Sequence, residues 1–208
     1  MSENHLSQYR CPTGVSGRNV AANMNKGHWD LTTWGVKHVS IKLDSVILDV
    51  GCGGGKTISR LAQRAVHGKV YGLDHSGDMV DFSRQVNKKL IATNRVDIVQ
   101  GKVEATGFKD DFFDLVTAIE SYYFWPNLAD AFQEIKRILK KGGYLLIISE
   151  MIKDGMYEVE NAELIAKTHV RLVPLQEMQR ILLSVGYSNV EVYRKRKSVW
   201  NVILAQKS

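Results

Sequence analysis

From Val46 to Ser149, short apolar runs alternate with segments of helical period. Val46-Ile47-Leu48-Asp49-Val50 is nearly continuous in apolar character and ends on glycine, as a strand covered on both faces does. Ile58, Leu61, Ala62, Ala65 and Val66 then recur at i, i+3, i+4, i+7 and i+8, one helix face that His67-Gly68 stops. Val70 to Leu73 predicts a second strand ending on Asp74, and Met79, Ser83, Val86 and Leu90 predict the face of a following helix. Val96 to Val99 and Phe112 to Ile119 read as the third and fourth strands. Leu128, Ala131, Phe132, Ile135 and Leu139 mark another helix, closed by Lys140-Lys141-Gly142-Gly143 before a fifth strand from Tyr144 to Ile148. Such βαβ alternation builds a mostly parallel sheet with helices on both faces, the doubly wound α/β fold.

The tail changes character. Pro174 opens a helix with Leu175, Met178, Leu182 and Val185 on one face, ended at Gly186. Val190 to Tyr193 and Val199 to Leu204 then predict two strands with no helix between them, a C-terminal antiparallel hairpin that brings the sheet to seven strands. Residues 1–44 predict a loop plus one or two helices, with Leu31, Trp34 and His38 on a common face, and residues 152–172 predict a helical insert. The expected organisation is a single domain: residues 1–44 as a lid or substrate segment, 45–151 as the binding core, 152–172 as the insert, and 173–208 as the closing helix and hairpin.

Composition narrows the class without naming it. A 44% hydrophobic and 24% charged chain of 208 residues has ordinary globular content, which excludes disorder as a description of the whole. No apolar run reaches the roughly 18 residues that span a bilayer, and the N-terminus lacks a secretory pattern, so a soluble cytoplasmic protein is expected. The net charge of +6 comes with basic clusters at Arg194 to Lys197 and Lys136 to Lys141, which read as a turn and a helix end, so nucleic acid is not the expected partner. Cys11 and Cys52 have no framework or CxxC spacing and read as free thiols; no Cys/His spacing suits a metal.

The chemistry centres on Leu48-Asp49-Val50-Gly51-Cys52-Gly53-Gly54-Gly55-Lys56-Thr57, between a strand and a helix. Counted from Gly51, Lys56 stands where a dinucleotide fingerprint needs its third glycine, and a P-loop would need one residue more before Gly55-Lys56-Thr57. Asp49 would repel a pyrophosphate at the helix N-terminus and suits a ligand carrying an ammonium or sulfonium.

Asp-x-Gly-x-Gly-x-Gly over Asp49, Gly51, Gly53 and Gly55 resembles the cofactor loop of class I S-adenosylmethionine-dependent methyltransferases. Asp74 closes the second strand, where that family places the acid gripping both ribose hydroxyls; NAD enzymes share this feature. Gly101 to Phe108 is similar to the family's Gly-Asp-Ala-Glu-x-x-Pro-Phe segment, except that Lys102 replaces the adenine-binding Asp. Phe113-Asp114-Leu115-Val116 and the run from Ile138 to Gly143 also match. The resemblance implies S-adenosyl-L-methionine as cofactor, S-adenosyl-L-homocysteine as product, and contacts from Asp49, Gly51, Cys52, Gly53, Asp74, His75, Met79, Val103, Glu104 and Glu120.

Methyl transfer from a sulfonium is an in-line displacement that needs neither metal nor covalent intermediate. Glu120-Ser121-Tyr122-Tyr123-Phe124-Trp125-Pro126 follows the fourth strand, where the family faces the methyl, and lacks the acid-Pro-Pro-aromatic motif of nucleic-acid amino methyltransferases. Its four aromatics would form either a wall for a small acceptor or packing under the N-terminal segment. Asn25, His28, Trp29 and Trp34 decorate the approach to the first strand; His28 could be a base or a structural hydrogen-bonder, and the catalytic group is unassigned. The expectation is a small-molecule methyltransferase, against an NAD-dependent oxidoreductase or a non-catalytic nucleoside-binding module.

Overall fold

The apolar run Val46–Val50 (β1) lies inside a seven-stranded sheet, with Ile47 and Leu48 wholly buried. The computed structural model describes residues 13–151, 153, 162, 165 and 170–208. Parallel strands Lys69–Asp74 (β2) and Val96–Gln100 (β3) extend the sheet on one side of β1. Phe113–Ile119 (β4) and Leu139–Ser149 (β5) extend it on the other, also parallel. Tyr187–Arg194 (β6) and Asn201–Lys207 (β7) complete the order β3-β2-β1-β4-β5-β7-β6, with β7 antiparallel to both neighbours. Successive crossovers leave β1 in opposite directions, so a crevice opens beside its carboxyl end.

Among the described residues, the α-helices with full bounds are Gly14–Gly27 (α1), Trp29–Gly35 (α2), Lys56–Arg64 (α3), Gly77–Val86 (α4), Lys88–Ala92 (α5), Leu128–Ile138 (α6) and Leu175–Val185 (α7). Periodicity located them well, with three corrections. Val66 is exposed, because the chain leaves helical geometry at Ala65 and the apolar face stops there. Leu90 belongs to α5: the buried Asn87 ends α4 and donates to the Gly55 and Ser83 carbonyls while accepting from Ser59. Leu139 is strand, because it pairs with Phe113 before the left-handed Gly142 redirects β5.

The face formed by Leu31, Trp34 and His38 packs on the sheet. Leu31 is fully buried, and a Cβ on Gly35 would stand 2.5 Å from Ile148. Trp34 meets the His38 ring edge-on, and His38 lies against Tyr193 of the C-terminal hairpin. Cys11 and most of the insert at 152–172 lie outside the described residues.

Candidate functional site

The glycine run turns the chain back over the end of β2. Gly51 and Cys52 both donate to the Leu73 carbonyl, and Gly51, Gly53 and Gly55 have left-handed φ of 70°, 47° and 75°. Such backbone favours glycine. Sterics add to it at Gly51, where a Cβ would lie 2.6 Å from that of Ser121, and at Gly55, 2.2 Å from Ser83 Oγ. Nothing lies within 4 Å of a Cβ on Gly53, which borders open space. That space is a cleft of about 280 Å³, and each residue expected to bind the cofactor lines it.

On its floor Asp49 is 2% exposed and accepts from Thr117 Oγ1 at 2.6 Å. Burial pushes its carboxyl up to about 7, and the nearby Asp74 charge adds to the rise. Asp74 Oδ2 accepts from the Gly53 N–H and Oδ1 from the Ser76 N–H, both at 2.9 Å. Each carboxylate oxygen keeps a second lone pair, so these bonds aim the group and leave it able to accept from a ligand diol. Met79 is fully buried, Val103 nearly so, and Lys102 is exposed on the rim.

Two of the polar groups that line the cleft lack protein partners among the described residues. Glu104 Oε1 is buried with no donor, and Arg60 Nε and Nη2 are buried with no acceptor while the guanidinium lies 3.2 Å from the Trp29 ring centroid. Both residues line the cleft. Buried polar atoms without partners are uncommon and point to a ligand that completes them. The cleft therefore offers carboxylates for a cation and a diol, an acceptor for a further donor, and a cation for an acid.

A separate cluster stands at the mouth. Glu120, at the end of β4, is 6% exposed and holds φ 53°, rare for a residue with a side chain. Its Oε2 accepts from Tyr123 Oη at 2.7 Å and its Oε1 from the Glu150 N–H at 2.6 Å. His28, between α1 and α2, brings Nε2 to 3.6 Å from Glu150 Oε1. Burial pushes Glu120 up to about 7, Glu150 adding to the rise and His28 opposing it. Burial by itself would lower the His28 imidazole; Glu150 and Glu120 more than reverse this and hold it above its ordinary 6.5.

The aromatic segment divides. Phe124, Trp125 and Pro126 line the cleft, whereas the Tyr122 and Tyr123 rings pack inward. Sequence reasoning missed Arg60, Thr117 and Glu150. Arg60 is one charged residue among several on α3, and Thr117 reads as ordinary strand. Glu150 carried one faint signal: it directly follows the fifth strand, at the carboxyl edge where ligands bind.

Residues 48–147 match the family model described as "Methyltransferase domain". The chain is 31% identical over 123 residues to 24-methylenesterol C-methyltransferase 2 of Oryza sativa subsp. japonica, covering 59% of this chain and 33% of the rice protein. It is 32% identical over 114 residues to demethylmenaquinone methyltransferase of Staphylococcus haemolyticus, covering 54% of this chain and 46% of that protein. The match thus spans less than half of either relative's length. Among solved structures, a SAM dependent methyltransferase from Aquifex aeolicus superposes with a TM-score of 0.74 at 20% identity, over 92% of this chain and 98% of that one. At that identity the likeness is one of fold.

Proposed function

We propose that the chain is a class I S-adenosylmethionine-dependent methyltransferase and that it transfers a methyl group from S-adenosylmethionine to a small-molecule acceptor by metal-independent in-line displacement. The observation that carries this reading is Asp49, a buried carboxylate under the glycine turn where a pyrophosphate binder needs no acid. S-adenosylmethionine fits the unmet needs of the cleft. Asp49 would face its positive methionine end, Asp74 its ribose diol and Arg60 its carboxylate. Glu104 and the backbone of Val103 would hold the adenosine side, with Met79 against adenine and His75 beside the ribose. When bound, the cofactor supplies an electrophilic methyl on sulfonium sulfur.

The chain's own residues do the rest. Asp49 and Arg60 would fix the two ends of the amino-acid portion, and Phe124 and Trp125 would present an apolar surface to the acceptor and exclude water. A small acceptor accords with the kinds of relative matched, whose names give sterol and demethylmenaquinone methylation. Calorimetry against S-adenosylmethionine, S-adenosylhomocysteine, NAD and ATP tests the proposal. Binding of the two sulfur compounds alone is expected; NAD or ATP binding with no response to either sulfur compound would falsify it.

A further inference from the structure

We propose that His28, oriented by Glu150 and Glu120, removes a proton from the methyl acceptor, so that the substrate is a compound that must lose a proton on methylation, a phenol or an amine among them. This rests on the methyltransferase reading and adds the catalytic group and the acceptor class.

Three separate parts of the chain bring the cluster together: the α1–α2 junction, the end of β4 and the residue after β5. His28 and Glu120 line the same cleft as the glycine loop. Glu120 is held in left-handed backbone, and strained conformers of this kind concentrate at functional sites. Both Glu120 oxygens are engaged, by the Tyr123 hydroxyl and the Glu150 N–H, which fixes the Glu120 carboxyl group in place beside the imidazole.

Burial rises from the mouth inward. The Glu150 side chain is 38% exposed and that of His28 22% exposed, with Glu120 buried behind them. His28 Nε2 faces Glu150, which leaves Nδ1 for the acceptor. A carboxylate on one imidazole nitrogen orients the ring and makes the other nitrogen more basic. The charged groups facing His28 are Glu120 and Glu150, both acidic, so each stabilises the imidazolium that forms.

The step balances without any further reagent. The acceptor's lone pair forms the bond to the methyl carbon, and the carbon–sulfur bond breaks with its electrons left on sulfur. The acceptor's proton passes to His28 Nδ1. The imidazolium then releases a proton from Nε2 by way of Glu150 to solvent.

The test uses the whole 208-residue chain and has two readouts. Transfer from labelled S-adenosylmethionine is measured to phenols, to primary and secondary amines, and to thioethers, which carry no proton on sulfur. Methylation of a phenol or of an amine is expected, and which of the two reacts identifies the acceptor class. His28→Gln should lower that rate about 100-fold or more, with S-adenosylhomocysteine affinity unchanged. Transfer to thioethers alone, or an undiminished rate in His28→Gln, would overturn the proposal.

The second readout is the His28 imidazole titration followed by NMR, with S-adenosylhomocysteine bound. A midpoint above 6.5 that falls in both Glu150→Gln and Glu120→Gln is expected. A midpoint at the ordinary value and insensitive to both variants would overturn the proposal, whatever the acceptor panel shows. Stoichiometric Mn²⁺ uptake that Glu120→Gln abolishes would overturn it too, by making the cluster a cation site. Loss of S-adenosylhomocysteine binding in the unaltered protein would instead strike the methyltransferase reading.

Discussion

Asp49 should make the ligand-free protein less stable as pH rises, and Asp49→Asn should remove that dependence. The folded carboxyl is raised from 3.8 to about 7, so the folded state keeps a proton that the unfolded chain releases between those values. Its penalty is therefore nearly absent below pH 3.8, grows through the interval, and is complete above pH 7. Linkage puts it at about 1.7 kcal/mol at pH 5 and about 4 kcal/mol at pH 8. Asparagine is nearly the same shape and keeps an oxygen for Thr117 Oγ1, so the variant loses the titration and keeps the hydrogen bond. Any cost of its amide is independent of pH and cancels between the two conditions. Urea unfolding of both proteins should show the variant's relative stability at pH 8 exceeding that at pH 5 by about 2.5 kcal/mol. Binding should show the reverse side of the same charge. Unaltered protein should gain about tenfold in S-adenosylmethionine affinity from pH 6 to pH 8, as the ionised fraction of Asp49 rises from about 0.09 to about 0.91. A stability difference that does not change with pH would refute the desolvation argument, and an Asp49→Asn variant that binds S-adenosylmethionine as tightly at pH 8 would refute the electrostatic one.

Asp74→Ala removes two charge-assisted acceptors and should weaken S-adenosylhomocysteine binding about ten- to hundredfold in calorimetry, with the fold retained. Gly53→Ala should lower stability by only about 1–2 kcal/mol of left-handed strain, since open space surrounds its Cβ. Gly55→Ala adds a collision with Ser83 and should cost clearly more in the same urea titration. The N-terminal segment should behave in two parts under hydrogen exchange. Residues 29–38, packed on β5 and the hairpin, should be protected with or without S-adenosylhomocysteine, and residues 14–27 should gain protection only when it binds. Equal protection of residues 14–27 in both states would make them scaffold.

Much of this protein was legible along the chain because its cues are local. Apolar runs ending at Gly51 and Asp74 mark strands buried on both faces, and the spacing of Ile58, Leu61 and Ala62 marks a helix on the sheet. With no helix between β6 and β7, the connection itself requires an antiparallel hairpin. The glycine loop and Asp74 were readable for a related reason: they sit at strand ends, where the topology of an open α/β sheet puts its ligands. Three-dimensional packing decided the rest. Leu139 became strand because β4 offered it a partner, and Asn87 broke a helix because the glycine loop needed its amide. Trp34 and His38 turned to the hairpin, whereas their neighbour His28 reached the cleft. The pairing of His28 with Glu120 and Glu150 joins positions about 90 and 120 residues apart, and no periodicity or motif spacing records which charges a fold will bury together. The elevated pKa values of Asp49 and Glu120 follow from the same fact, since desolvation belongs to the assembled core and not to the residue.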